Sequence, residues 1–317
     1  MRSFVAAAPA ALVLSLLALS ACSKQETPPP SPPAAANDKA EPAEGTPRIV
    51  ISPDGTHVQY HVYGASEADE PALVLIHGWS CDSNYWREQV PVLKSRYTVV
   101  TVDLAGHGGT DANRSDWGME RFGQDVASAV APIPNRQLIL VGHSMGGPVA
   151  IEAARLLKSR VIGIIGVDTF KTIGAPLPSA AQLDSILKPF EANFIGHTRE
   201  VVATHFFSPG ADPQLAQKIA YDMSLSPPKV AIPAMRAVLS YDFAAPLKEI
   251  AVPIVAINSD LGEPVNELRI RKVLPKFRAV VIPGAGHFLM MEDPARFNPA
   301  LETEIQALIA ARPAEAG

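Results

Sequence analysis

The sequence predicts an α/β fold: a mostly parallel sheet flanked by helices and interrupted by a helical cap. Two observations predict it. Short apolar runs alternate with helical patterns along most of the chain, an order that demands crossover connections and therefore parallel strands. Between Thr169 and about Ala245 the strand-like runs stop and only helical patterns remain, so an all-helical insertion separates two strands and is expected to cover the carboxyl edge of the sheet.

The residues before about Arg48 are not expected to join the fold. Arg2 precedes an apolar run, Phe4 to Leu19, which is too short and too Ala-rich for a membrane span and has the form of a secretory signal. It ends in Leu19-Ser20-Ala21-Cys22, which resembles the lipobox of bacterial lipoproteins, whose cysteine carries a diacylglycerol. The competing reading is an ordinary cleavage site beside an incidental cysteine. Residues 1–21 are thus expected to be a lipoprotein signal peptide, with lipid on Cys22 as a membrane anchor. Residues 22–47 hold the run Pro28 to Pro33, broken only by Ser31, and no large apolar side chain. Such a segment favours extended polyproline-like conformations and forms a solvated tether. The lipobox resemblance implies a cell-envelope location. Ser23, where many Gram-negative lipoproteins retained in the inner membrane carry aspartate, points to the outer membrane, facing the periplasm.

About 270 residues remain, which suits one large α/β domain with an insertion: core residues 48–168, cap residues 169–245 and core residues 246–317. The net charge of −5 and the lack of a basic run leave a nucleic-acid role unsupported. Two cysteines, Cys22 and Cys81, make no disulfide framework. No His/Cys/Asp cluster has metal-ligand spacing, and neither a metal nor another cofactor is expected.

In chain order, Ile49–Ser52 and Val58–Tyr63 flank Pro53-Asp54-Gly55 and read as a hairpin on an Asp-Gly turn. Ala72–Ile76 is an unbroken apolar strand, as in the middle of a parallel sheet. An amphipathic helix is expected from about Asn84 to Leu93, a strand over Tyr97–Val102 and a helix around Met119–Val130. The strand from Leu138 leads into a helix over Gly147–Leu157, and Val161–Val167 is the sixth strand. Helices are then expected over Ala180–Phe194, Thr198–Phe207, Pro213–Met223 and Lys229–Leu239. Strands Pro253–Asn258 and Ala279–Ile282 follow, and a helix from about Ala295 to Ala311 closes the chain.

Between the strand at Leu138 and its helix stands Gly142-His143-Ser144-Met145-Gly146. A serine at the tip of a strained strand-to-helix turn has backbone on both sides, so the flanking positions admit almost no side chain. Its hydroxyl is exposed there, and the N–H of Met145 at the helix start points toward any developing oxyanion. His287, between Gly284 and Gly286 after the last strand, can reach such a hydroxyl and take its proton.

His77-Gly78-Trp79, Asp103 with Gly106-His107-Gly108-Gly109, the turn around Ser144, and Gly284-Ala285-Gly286-His287 occur in the order and near the intervals of the α/β-hydrolase fold family, which the chain resembles from residue 48 on. The resemblance implies a sheet of about eight strands with catalytic residues on loops at one edge, and a cap after the sixth. It also implies an oxyanion hole from the backbone N–H groups of Trp79 and Met145, and structural roles for His77, His107 and His143. The Trp79 indole either walls a pocket or packs behind its loop, and Cys81 is a buried or partly exposed free thiol.

The resulting expectation is a serine hydrolase acting through an acyl-enzyme on carboxylic esters or lactones of small to medium size. Serine at position 144 sets the chain apart from relatives that use aspartate there. Phe190, Phe194, Phe206, Phe207, Met223 and Met235 of the cap either line the pocket or form the cap's own core. A membrane-tethered ligand sensor or binding protein of the same fold is the alternative. A purely structural role would require neither the serine turn nor the histidine loop.

Three carboxylates compete to orient His287. Asp260 immediately follows the strand after the cap and lies 27 residues before His287, a separation usual in the family. Ser259, however, stands where the commoner pattern has glycine. Glu263 is further into that loop, and Asp168 ends the strand before the cap. Asp260 is the expected acid, with Asp168 and Glu263 as alternatives.

Overall fold

The computed structural model describes residues 45–64 and 67–312. The expected signal peptide, Cys22 and nearly all of the tether lie outside the described residues. The first strand, β1 (Thr46–Ile51), starts two residues ahead of the expected boundary.

Among the described residues, eight strands form one sheet. β1 and β2 (His57–Tyr63) make the expected antiparallel hairpin around Asp54-Gly55, with Gly55 at φ 87°. The others are β3 (Ala72–Ile76), β4 (Val99–Val102), β5 (Leu138–His143), β6 (Val161–Val167), β7 (Ile254–Ser259) and β8 (Arg278–Ile282), in the order β1-β2-β4-β3-β5-β6-β7-β8. Pairing is antiparallel only at β1–β2 and β2–β4. The central strands β3 to β7 are buried along their whole length, which is why they read as continuous apolar runs rather than alternating ones.

The helices are α1 (Val90–Leu93), α2 (Met119–Val130), α3 (Gly146–Leu157), α4 (Ala180–Ala192), α5 (Phe194–His205), α6 (Pro213–Ser224), α7 (Pro228–Leu239), α8 (Glu267–Ile270), α9 (Leu289–Glu292) and α10 (Pro294–Ala310). The helix expected over Asn84–Leu93 is instead a 3₁₀ turn, Ser83–Trp86, followed by the single turn α1. Pro91 has no N–H to continue a helical ladder back toward residue 87, so the segment breaks.

Helices α4 to α7 form the cap between β6 and β7. The starts of three of them are fixed locally by side chains: Ser179 and Gln182 make a capping box on α4, and Asn193 and Asp212 cap α5 and α6. The cap is joined to the core where the Trp79 indole N–H donates to the Ala231 carbonyl of α7 at 2.6 Å and meets Phe190 and Phe194 edge-on. Among the described residues no helix is long and apolar enough to cross a membrane.

Candidate active site

The site forms at the carboxyl ends of β5, β6, β7 and β8. Ser144 follows β5 with φ 51°, a left-handed conformation that costs a side-chain-bearing residue energy and must be held by its surroundings. Its N–H donates to the Val167 carbonyl of β6 at 2.9 Å, and its carbonyl accepts from the Gly147 N–H at 2.9 Å. A β-carbon on Gly142 would collide with the Gly146 carbonyl, and one on Gly146 with the Ile76 carbonyl at the end of β3. The glycines are therefore steric requirements of the turn. Gly78 presses on the same turn, since a β-carbon there would lie 2.8 Å from His143 Nδ1 and 3.2 Å from Ser144 Cβ.

His287 follows β8, and its Nδ1 lies 2.6 Å from Asp168 Oδ2. Asp168 ends β6 with φ 44° and a side chain only 6% exposed. Its Oδ1 accepts from the Ser259 N–H at 3.0 Å and hydroxyl at 2.9 Å, and from Lys171 Nζ at 3.0 Å. Burial pushes this carboxyl up, but the hydrogen bond and charge of His287, then those of Lys171, outweigh it and hold Asp168 well below the usual carboxylate range. With Asp168 accepting at Nδ1, the neutral imidazole carries its proton there, leaving Nε2 as the basic nitrogen.

The expectation for Asp260 is corrected by this geometry: the carboxylate on His287 is Asp168. Asp260 is exposed and accepts from the Gly284 N–H at 2.8 Å, so it braces the start of the histidine loop without touching the ring. Glu263 is turned away, paired with Arg269 at 3.2 Å. β6 and β7 run parallel with Val167 opposite Ile257, so residue 168 falls beside residues 258 and 259. The end of β7 thus supports the acid instead of supplying it. The Asn258 amide accepts from the Thr169 N–H and donates to its carbonyl, at 3.1 and 3.2 Å, while Ser259 bonds Asp168.

Three further histidines, His77, His107 and His143, are held in buried positions. His77 accepts from the Leu104 N–H at Nε2 and donates from Nδ1 to the Gly78 carbonyl, at 3.0 and 2.7 Å. His107 accepts from the Ser80 N–H and donates to the Ala105 carbonyl, at 3.3 and 2.9 Å. His143 Nε2 donates to the His287 carbonyl at 2.9 Å. Burial lowers His77, and it brings His107 and His143 down to about 3, so all three are neutral braces. Neither the Trp79 nor the Met145 backbone N–H is taken by a backbone acceptor among the described residues. The Trp79 indole packs against the cap. Cys81 is buried, donates its S–H to the Trp79 carbonyl at 3.3 Å, and is pushed well above its ordinary value by burial.

Sequence reasoning missed three supports. Lys171 lies one helical turn beyond Asp168, a spacing readable only once Asp168 is taken as the acid. Ser259 was visible as a departure from pattern, but its meaning depends on the β6–β7 pairing. Glu292 gathers the Gly286 and Phe288 N–H groups of the histidine loop and the Ser208 N–H and hydroxyl beyond α5, at 3.1 to 3.3 Å. Together with the bond from the His287 N–H to the Phe206 carbonyl, at 2.6 Å, it ties that loop to the cap.

Ser144, Met145 and Asp168 line a cavity of about 430 Å³ bounded by the segments entering and leaving the cap, with Phe170, Tyr241 and Phe243 among its walls. None of the six apolar cap residues singled out from sequence lines it. Phe190, Phe194, Phe207 and Met223 are buried in the packed core, and Phe206 lies against the His287 ring at 4.8 Å.

A sequence model of the alpha/beta hydrolase family matches residues 73–300. The chain is 22% identical over 251 residues to 3-oxoadipate enol-lactonase 2 of Acinetobacter baylyi, covering 77% of this chain and 91% of that protein. It is 28% identical over 256 residues to the pimeloyl-[acyl-carrier protein] methyl ester esterase of Edwardsiella ictaluri, covering 76% and 95%. Among solved structures, a thermophilic esterase from Thermogutta terrifontis superimposes with a TM-score of 0.71 at 22% identity, covering 83% of this chain and 98% of that one.

Proposed function

Because the chain belongs to the alpha/beta hydrolase family, we propose that it is a serine hydrolase acting through an acyl-enzyme on carboxylic esters or lactones. The observation that carries this reading is the Asp168–His287 pair standing behind a strained serine turn whose neighbour, His143, bonds the His287 backbone. A free hydroxyl is a weak nucleophile and needs a base, and that base needs a fixed tautomer. Ser144 attacks the acyl carbon while His287 Nε2 takes its proton. Asp168 holds the ring and stabilises the imidazolium. The Trp79 and Met145 N–H groups receive the oxyanion, each donor contributing about 3 kcal/mol in comparable sites. His287 then returns the proton to the leaving alcohol, and water, deprotonated by the same imidazole, releases the acid.

The cavity beside Ser144, of about 430 Å³ with a largely apolar wall, supports small to medium acyl or alkoxy groups. The lactonase and esterase activities of the relatives named above point to the same bond class. The reading is tested with a fluorophosphonate probe and p-nitrophenyl esters of graded chain length. Wild-type protein should be labelled and turn over the shorter esters, and Ser144→Ala should do neither while keeping its fold. Labelling that persists in the variant would mean the nucleophile is another residue.

A further inference from the structure

Among the described residues, Lys171 is the one lysine or arginine bonded to the Asp168 carboxylate. Its Nζ lies 3.0 Å from Asp168 Oδ1 and donates to the Leu261 carbonyl at 3.0 Å, and its side chain is only 16% exposed. Its position is fixed from the main chain too: the Arg269 guanidinium bonds the Lys171 carbonyl and, at 3.3 Å, that of Ile173. Arg269 is in turn paired with Glu263. An ammonium held at both ends on a turn this constrained is a built feature of the pair.

We propose that Lys171 is a positioning residue that compensates part of the charge of Asp168 and thereby keeps His287 unprotonated, and competent as a base, to lower pH. The argument is electrostatic. A carboxylate facing an imidazole favours the imidazolium, and a second cation on the same carboxylate weakens that preference. Other groups face His287 as well. His143 is neutral and bonds its backbone carbonyl, and Glu292 accepts from the flanking N–H groups of Gly286 and Phe288. Asp260 bonds the loop at Gly284, and Phe206 and Ser208 from the cap carry no charge. Lys171 is thus the cation placed to set the balance from the Asp168 side.

This inference rests on the Ser144–His287–Asp168 reading, and its test is separable from it. The His287 ring is titrated by NMR in full-length protein, and fluorophosphonate labelling is followed against pH in the same samples. Lys171→Gln keeps a hydrogen-bond donor without the charge, Lys171→Met removes both, and Lys171→Arg keeps both. The Gln and Met variants should raise the His287 midpoint by about one pH unit, moving the acid limb of labelling upward with it. Below that limb, labelling should slow about tenfold at a given pH, and Arg should restore the wild-type profile. A role confined to holding the turn predicts rescue by Gln. An unmoved midpoint in the Gln variant, whatever the Met variant does, overturns the inference, whether or not Ser144 is labelled. Absence of labelling in wild-type protein overturns the hydrolase reading while leaving the titration informative.

Discussion

His287 Nδ1 lies 2.6 Å from Asp168 Oδ2, joining residues 119 apart in sequence across the ends of β6 and β8. Asp168→Asn keeps the shape but replaces an acceptor by an amide that offers either a donor or a weaker acceptor, so the tautomer at His287 is no longer fixed. A loss in kcat of up to about 10⁴ is expected for Asp168→Asn. Asp260→Asn should cost less than about tenfold, since the amide oxygen can still accept from Gly284. Steady-state kinetics on a p-nitrophenyl ester compare the two. Equal damage, or the reverse order, would restore Asp260 as the acid.

The ladder of elements was legible because each central strand is buried along its whole length and most cap helices carry a local start signal, although α5 begins at Phe194, four residues before the expected Thr198. Ala72–Ile76 and Val161–Val167 were read to the residue. The serine turn was legible for a steric reason, the two glycines that the backbone around Ser144 requires. The choice among carboxylates was not. β6 and β7 end side by side, so either can present an acid to the same point. Only the direction of one side chain at φ 44° decides between Asp168 and Asp260. The supports Ser259, Lys171 and Glu292 were hidden for a related reason, since each gains its partners from tertiary contacts that no local period encodes.

Gly78 offers a test of the oxyanion side. A β-carbon there would stand 2.8 Å from His143 Nδ1 and 3.2 Å from Ser144 Cβ, with both partners fixed. Gly78→Ala should therefore push the Trp79 N–H out of place and lower kcat by roughly 10²–10³, the range seen when one oxyanion donor is lost. KM should change little, and the thermal midpoint should fall only modestly. A variant with normal kcat would remove residues 77–79 from the oxyanion hole.

We propose that the chain is tethered to the cell envelope through lipid on Cys22, on the strength of Leu19-Ser20-Ala21-Cys22 and the Pro-rich stretch after it. Expressed in full in a Gram-negative host, it should incorporate labelled palmitate and fractionate with membranes. Cys22→Ser should take up no label. An unlipidated, freely soluble wild-type chain would reduce the segment to an ordinary export signal.

The buried histidines predict how stability depends on pH. Burial brings His107 and His143 from an ordinary 6.5 down to about 3, and lowers His77. Between those values the unfolded chain binds protons that the folded chain refuses, so their contribution is complete above about 6.5 and is lost as pH falls toward 3. Burial raises the carboxyls of Asp82, Asp125 and Glu292, which act in the opposite sense, restoring stability as pH falls toward their ordinary values. The imidazole contribution begins to be lost just below about pH 6.5, and a variant lacking one of these imidazoles separates it from the carboxyl contribution on acidification. His107→Gln can still donate to the Ala105 carbonyl but cannot take up a proton. It should start with a midpoint lower by roughly 4 °C at pH 7.5, the effect of a hydrogen bond or two in a chain of this length. From there it should lose stability less steeply on acidification than the wild type. Parallel curves for the two proteins would mean that His107 does not bind a proton on unfolding in this range, and that the fall comes from other groups.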